Sequence, residues 1–98
     1  MNRFQVGDIV QHFKRETVDM DRCDKNMYLY KILAFAHHTE TGDIMVVYQA
    51  LYQSEETGVN FGVYARPYDM FMSEVDKEKY PNIRQKYRFE KFPTDSVE

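Results

Sequence analysis

The sequence predicts a mainly β fold: a five-stranded small barrel or strongly bent antiparallel sheet, with one short helical turn before the last strand. Three observations carry this reading. Two long runs, Tyr28 to His37 and Asp43 to Tyr52, are rich in β-branched and aromatic residues and contain neither proline nor glycine, the composition of long strands. The turn-forming His38-Thr39-Glu40-Thr41-Gly42 lies between them, so the two runs form one antiparallel hairpin. Both runs are also apolar on both faces, with Ile32 and Ala34 against Leu33 and Phe35, then Val46 and Tyr48 against Val47 and Leu51. Such strands suit a closed or strongly bent sheet better than a flat one with a wet face.

The first strand follows a tight turn at Gly7-Asp8 and runs over Ile9 to Lys14, with Ile9, Gln11 and Phe13 on one face and Val10, His12 and Lys14 on the other. Arg15 to Met27 is polar and charged, interrupted by Val18, Met20 and Cys23, and reads as a loop of about a dozen residues. After the hairpin, Gln53 to Gly58 is a second polar loop. Asn60 to Ala65 is a short strand with Phe61, Val63 and Ala65 facing inward, and Gly62 allows a bend or a close backbone approach. Pro67 ends that strand and opens Tyr68 to Met72, one helical turn pressing Met70 and Phe71 onto the core. Ser73 to Gln85 is charged and broken by Pro81; Lys86 to Phe92 alternates and reads as the last strand. Strand, long loop, hairpin, short strand, helical turn and strand is the element order of SH3-like small barrels.

A chain of 98 residues is the size of one domain, here residues 1–93, with 94–98 a tail that has nothing to bury. At 43% hydrophobic and 30% charged residues it is globular, and without Trp its Tyr and Phe supply the core bulk. The net charge of −3 argues against strong nonspecific binding to duplex DNA or to an anionic membrane. Arg84, Lys86, Arg88 and Lys91 are the nearest thing to a basic patch and read as the solvated face of an edge strand. One cysteine, Cys23, excludes an intrachain disulfide, and no apolar run approaches a membrane span; a cytoplasmic protein is expected.

The residues so ordered resemble a family of small, mostly bacterial proteins classed as domain of unknown function sixteen fifty-three. The resemblance lies in His12-Phe13-Lys14, Tyr30 to Ala34 leading to Ala36-His37-His38-Thr39-Glu40-Thr41, Val46 to Tyr52, and Arg66-Pro67 with Met70-Phe71. It implies a compact stand-alone domain and carries over no activity. This chain differs from the family pattern by the insertion of Arg15 to Met27, and by Tyr64 as the nearest aromatic where the pattern has a Trp before Arg66-Pro67.

No residue set amounts to a catalytic or cofactor motif. His37 and His38 are adjacent and point to opposite faces in extended backbone, so at most one joins His12, and Cys23 sits in the charged loop; no metal site and no cofactor are expected. Ser54, Ser73 and Ser96 lack a glycine-rich elbow. His38 to Thr41 is either a general-base loop or a turn whose side chains bond their own backbone. Arg66 either grips a carboxylate or phosphate or locks the fold by pairing with Glu40 or Asp69. Tyr28, Tyr30, Tyr48, Tyr52, Phe61, Tyr64, Tyr68 and Tyr87 exceed what a core this size needs, so some rings are expected at the surface. The expected site is His12, His37, Tyr48, Tyr64 and Arg66, brought to one end or face. These residues suggest a non-catalytic binding module, monomeric, for a peptide, nucleic-acid or small-molecule ligand. The alternatives are a small enzyme with His12 or His37 as general base and Arg66 as anion clamp, or a subunit that interacts with a protein partner.

Overall fold

The computed structural model describes residues 3–54, 59–60 and 62–93. Among them seven strands form: β1 (Ile9–His12), β2 (Leu29–His37), β3 (Ile44–Ala50), β4 (Gln53–Ser54), β5 (Val59–Asn60), β6 (Val63–Pro67) and β7 (Phe89–Lys91), with α1 (Tyr68–Phe71) after β6. Five make one antiparallel sheet in the order β6-β3-β2-β1-β7, and β4 pairs with β5 in a two-stranded ribbon. The long hairpin β2–β3 is its centre, as the two proline-free runs predict, and its turn closes through Gly42 at φ 77.

Apolarity on both faces of the hairpin has a specific cause in β2. Ile32 pairs with Tyr48, yet Ala34 already pairs with Val47, so Leu33 is an extra residue and the strand carries a bulge. Even-numbered Tyr30 and Ile32 therefore share the inner face with odd-numbered Phe35. A bulge bends its strand and increases local twist. The bend is large: Phe89 on the outer strand β7 lies 5.5 Å from Tyr48, three strands away in sheet order, and 5.7 Å from Tyr30. Phe71 of α1 stacks on Phe89 at 4.0 Å and meets Tyr48 at 5.2 Å, plugging the concave side. The outer strands β6 and β7 do not pair with each other among the described residues, so the sheet is strongly bent and not closed.

Several boundaries differ from the sequence expectation. Strand one stops at His12, because Phe13–Thr17 winds into a 3₁₀ turn whose first turn is capped by the His12 side chain. Phe13 thereby enters a second small core with Val75, Ile83 and Tyr80. In β6 the inward residues are Tyr64 and Arg66, set opposite Tyr48 and Val46, whereas Val63 and Ala65 face out. Long amphipathic side chains can cover the core with their bodies and keep a polar tip wet, which a valine cannot. Asn60 belongs to the ribbon strand β5; Phe61 and the tail 94–98 lie outside the described residues. Of the helical turn, Phe71 is fully buried and Met70 is exposed. Gly62 does make a close approach, since a Cβ there would stand 2.9 Å from the Tyr64 hydroxyl.

The charged stretch after α1 is built from long-range backbone bonds. Arg88 N–H donates to Ser73 O, Val75 N–H to Lys86 O, and Glu74 bridges to Tyr87. Lys77 Nζ donates to the carbonyls of Ile83 and Gln85. Buried Gln85 donates through Nε2 to the carbonyls of Gln11, Tyr87 and Arg88 and accepts from Gln11 Nε2, so its burial leaves no unpaired polar atom.

Candidate functional site

A cleft of about 310 Å³ opens between the end of β1, β6 and the 73–88 segment, lined by His12, Lys14, Arg66, Glu74, Lys79, Tyr80 and Arg88 among others. His12 reaches it from the end of β1, where pairing with Phe89 turns its ring onto the core. The imidazole stacks on Phe13 at 4.4 Å, meets Phe89 edge-on at 5.0 Å, and is 8% exposed. Its Nδ1 accepts the Lys14 backbone N–H at 3.1 Å, which fixes the neutral tautomer with the proton on Nε2. Burial, then Arg66, Arg88 and Lys14, push its pKa down to about 3, so the ring is uncharged at neutral pH. His12 lines the cleft, and among the described residues its ring forms no hydrogen bond besides the one through Nδ1, which leaves Nε2–H as its remaining donor.

Arg66 is positioned by Tyr48, whose hydroxyl accepts from Nε at 3.2 Å. The guanidinium also leans toward the Phe89 ring, 5.9 Å from its centroid. Arg88 is held the same way, Nε donating to Met70 O at 3.1 Å and to Ser73 Oγ at 3.2 Å. In both arginines the terminal nitrogens make no bond within the described residues and border the cleft. Burial and the charge of Arg66 lower the Arg88 pKa. Among the described residues the ion pairs are Arg22 with Asp19 and Lys91 with Asp8, so Arg66 pairs with neither Glu40 nor Asp69. Four cations and two carboxylates, Glu74 and Asp76, line the cleft, an excess of positive charge in a chain of net charge −3.

Of the five expected residues, His12 and Arg66 line the cleft, and Tyr48 adjoins it from the core through its bond to Arg66. Tyr64 lies 5.9 Å from Tyr48 and 6.4 Å from Tyr30, outside the cleft lining. His37 stays apart: it ends β2 opposite Ile44, exposed, while His12 bonds to Tyr28 just before the other end. The nine residues of β2 separate them by roughly 30 Å of strand at about 3.3 Å per residue. In the hairpin turn, His38 Nδ1 accepts the backbone N–H groups of Glu40 and Thr41 and Thr41 Oγ1 accepts that of Asp43, which is the backbone-bonding role of those side chains. Among the described residues no three His, Cys, Asp or Glu side chains gather as metal ligands.

The tyrosines go largely inward. Tyr30, Tyr48 and Tyr52 are buried, and the hydroxyls of Tyr30 and Tyr52 bond each other at 2.7 Å, with burial driving both pKa values up. The hydroxyls are thus used in two separate internal contacts, the Tyr30–Tyr52 pair and the Tyr48 bond to Arg66. The sequence pattern gives Lys79 and Tyr80 no role and assigns Arg88 to the solvated side of the alternating run Lys86 to Phe92, whereas the strand itself covers only Phe89–Lys91 and Arg88 precedes it. Nothing in its local sequence distinguishes it, because the chain that covers it, residues 73–80, has no strand pattern of its own.

Fold and cleft together define a small bent-sheet β protein with a cationic cleft at one end of its concave face. The family model described as a protein of unknown function, DUF1653, matches residues 8–91, and the chain belongs to that family. Comparison with curated proteins and with solved structures finds no match. Among the described residues no helix is long and apolar enough to cross a membrane.

Proposed function

We propose that this protein is a non-catalytic binding module that holds an anionic group of its ligand between Arg66, Arg88 and the His12 imidazole. One observation carries this reading: two guanidinium groups, each oriented through Nε by the protein and each with terminal nitrogens that make no bond among the described residues, border the same cleft as the neutral His12 imidazole. Charge-assisted hydrogen bonds to such donors are the strong ones, and arginine forks fit phosphate and carboxylate. The rival enzyme reading is poorly served by His12, since an imidazole with a pKa of about 3 is a feeble base at neutral pH. A single cysteine, Cys23, suits a reducing cytoplasm.

The test is an NMR titration following the His12 ring and arginine Nε–H signals as phosphate, sulfate and acetate are added separately, alongside thermal unfolding. An anion that binds should shift the His12, Arg66 and Arg88 signals together and raise Tm, with about 2.7 kcal/mol of stabilisation at a hundredfold excess over Kd. If none of the three anions moves those signals at concentrations of tens of millimolar, the proposal fails.

A further inference from the structure

Resting on the anion-binding reading, we infer that the cleft selects a low-molecular-weight phosphate monoester in its dianionic form, rather than a carboxylate or a nucleic-acid backbone. Three features of the cleft separate these ligands.

The first is the arrangement of the donors. His12, Arg66 and Arg88 come from β1, from β6 and from the residue just before β7, three separate pieces of chain that the bend brings around one space. A carboxylate offers two oxygens in one plane and is satisfied by one arginine fork. A phosphate monoester offers three equivalent oxygens around a tetrahedral centre and can accept from all three groups at once.

Charge is the second. Lys14 and Lys79 add to Arg66 and Arg88, and Glu74 and Asp76 oppose them, leaving an excess of two positive charges that a dianion neutralises and a monoanion does not. The His12 N–H contributes as a neutral donor, so it neither adds a charge nor depends on proton uptake.

The third feature is size and surroundings. A volume of about 310 Å³ is at the lower end of small-molecule sites, enough for a phosphate and a few attached heavy atoms. Glu74 and Asp76 stand in the lining, Glu78 adjoins them in sequence, and the chain as a whole is acidic. A polyanion would bring further phosphates against these carboxylates, and among the described residues the cleft's cations are four, Lys14, Arg66, Lys79 and Arg88, set around one space rather than along a track that follows a phosphate backbone.

The experiment is isothermal titration calorimetry at pH 8 and low salt with methyl phosphate, methyl sulfate, acetate and a 5′-phosphorylated oligonucleotide, the last compared with its 5′-mononucleotide. Methyl phosphate, a tetrahedral dianion at that pH, should bind about tenfold or more tighter than methyl sulfate, a tetrahedral monoanion, and than acetate. The oligonucleotide should bind no tighter than the mononucleotide. Arg88→Lys keeps the charge and loses the fork; it should weaken methyl phosphate at least about fivefold and leave acetate within about twofold, with an unchanged Tm showing that the variant is folded. Acetate or methyl sulfate binding as well as methyl phosphate overturns the selectivity while leaving anion binding standing. An oligonucleotide that binds tenfold tighter than its mononucleotide overturns the small-molecule assignment. If no anion binds at all, the underlying proposal falls with it.

Discussion

At His12, burial and the charges of Arg66, Arg88 and Lys14 all oppose protonation. The imidazole titrates near 6.5 in the unfolded chain and at about 3 in the fold, so between those values the unfolded state binds more protons. Stability contributed here is fully present above pH 6.5 and is lost as pH falls toward 3, with a limiting slope of about 1.4 kcal/mol per pH unit. His12→Asn keeps a side-chain acceptor for the Lys14 N–H and removes the titration. Urea unfolding between pH 4 and 7 should show a flatter dependence in that variant than in the parent; an unchanged slope would mean that His12 is not the group responsible. Tyr48 poses a second residue-scale question. Tyr48→Phe removes the acceptor for Arg66 Nε and should cost about 1 kcal/mol of stability, yet weaken anion binding because Arg66 loses its orientation. A loss of several kcal/mol with binding intact would instead make the Tyr48–Arg66 contact a structural lock.

Elements explain why the long charged loop after β1 is not all equally dispensable. Arg15 Nη1 donates to the carbonyls of Lys25 and Met27 at 3.0 and 2.7 Å, clasping the two ends of the loop. The Glu16 carboxylate accepts the backbone N–H groups of Arg84 and Gln85, both at 2.8 Å, tying the 3₁₀ turn to the segment that walls the cleft. Among the described residues the part between Thr17 and Lys25 makes mainly local bonds, such as Asp21 N–H to the Asp19 carboxylate and Arg22 N–H to Asp19 O. Replacing that part with a short glycine-containing turn should leave cooperative unfolding intact, because shortening a loop changes its closure entropy little. Glu16→Ala should lower stability by about 1–2 kcal/mol and speed hydrogen exchange at Arg84 and Gln85. If the shortened loop abolishes cooperative unfolding, then Val18, Met20 and Cys23 contribute to the core after all. Just before β6, Gly62→Ala forces the Tyr64 ring to shift by its 2.9 Å contact, and ring-current shifts at Tyr48 and Tyr30 should report that movement.

For the whole molecule, the bend is held by rings that meet across it. Phe71 touches Phe4, Tyr48 and Phe89, which come from the N-terminal segment, the sheet centre and one outer strand, and is fully buried. Phe71→Ala should cost about 3–5 kcal/mol, measured by denaturant unfolding. A cost below 1 kcal/mol would show that the outer strand does not depend on this plug. Because Phe89 pairs with His12, the cleft should loosen with the core, and Phe71→Leu, a milder change, should weaken anion binding in proportion to its loss of stability.

Strand pattern and turn chemistry in the sequence determined the hairpin, the helical turn after Pro67 and a bent rather than flat sheet, because period-two burial and proline placement are local properties of the chain. The same alternation predicts that His12, His37, Tyr48, Tyr64 and Arg66 share one end or face; His12 and Arg66 border one cleft, Tyr48 adjoins Arg66 from the core side, and Tyr64 packs beside Tyr48. His37 does not join them, since it stands at the far end of β2 from His12, a register matter that alternation cannot fix. Only the tertiary structure decided that Tyr64 and Arg66, rather than Val63 and Ala65, face inward, for the pairing of β6 with β3 sets that choice. It also decided the fate of residues 73–88, whose order comes from partners far along the chain: Glu16 binding Arg84 and Gln85, and Gln85 binding Gln11. Arg88 enters the cleft for that reason, and no local pattern could place it there, because the bonds that position it exist only once the sheet has bent.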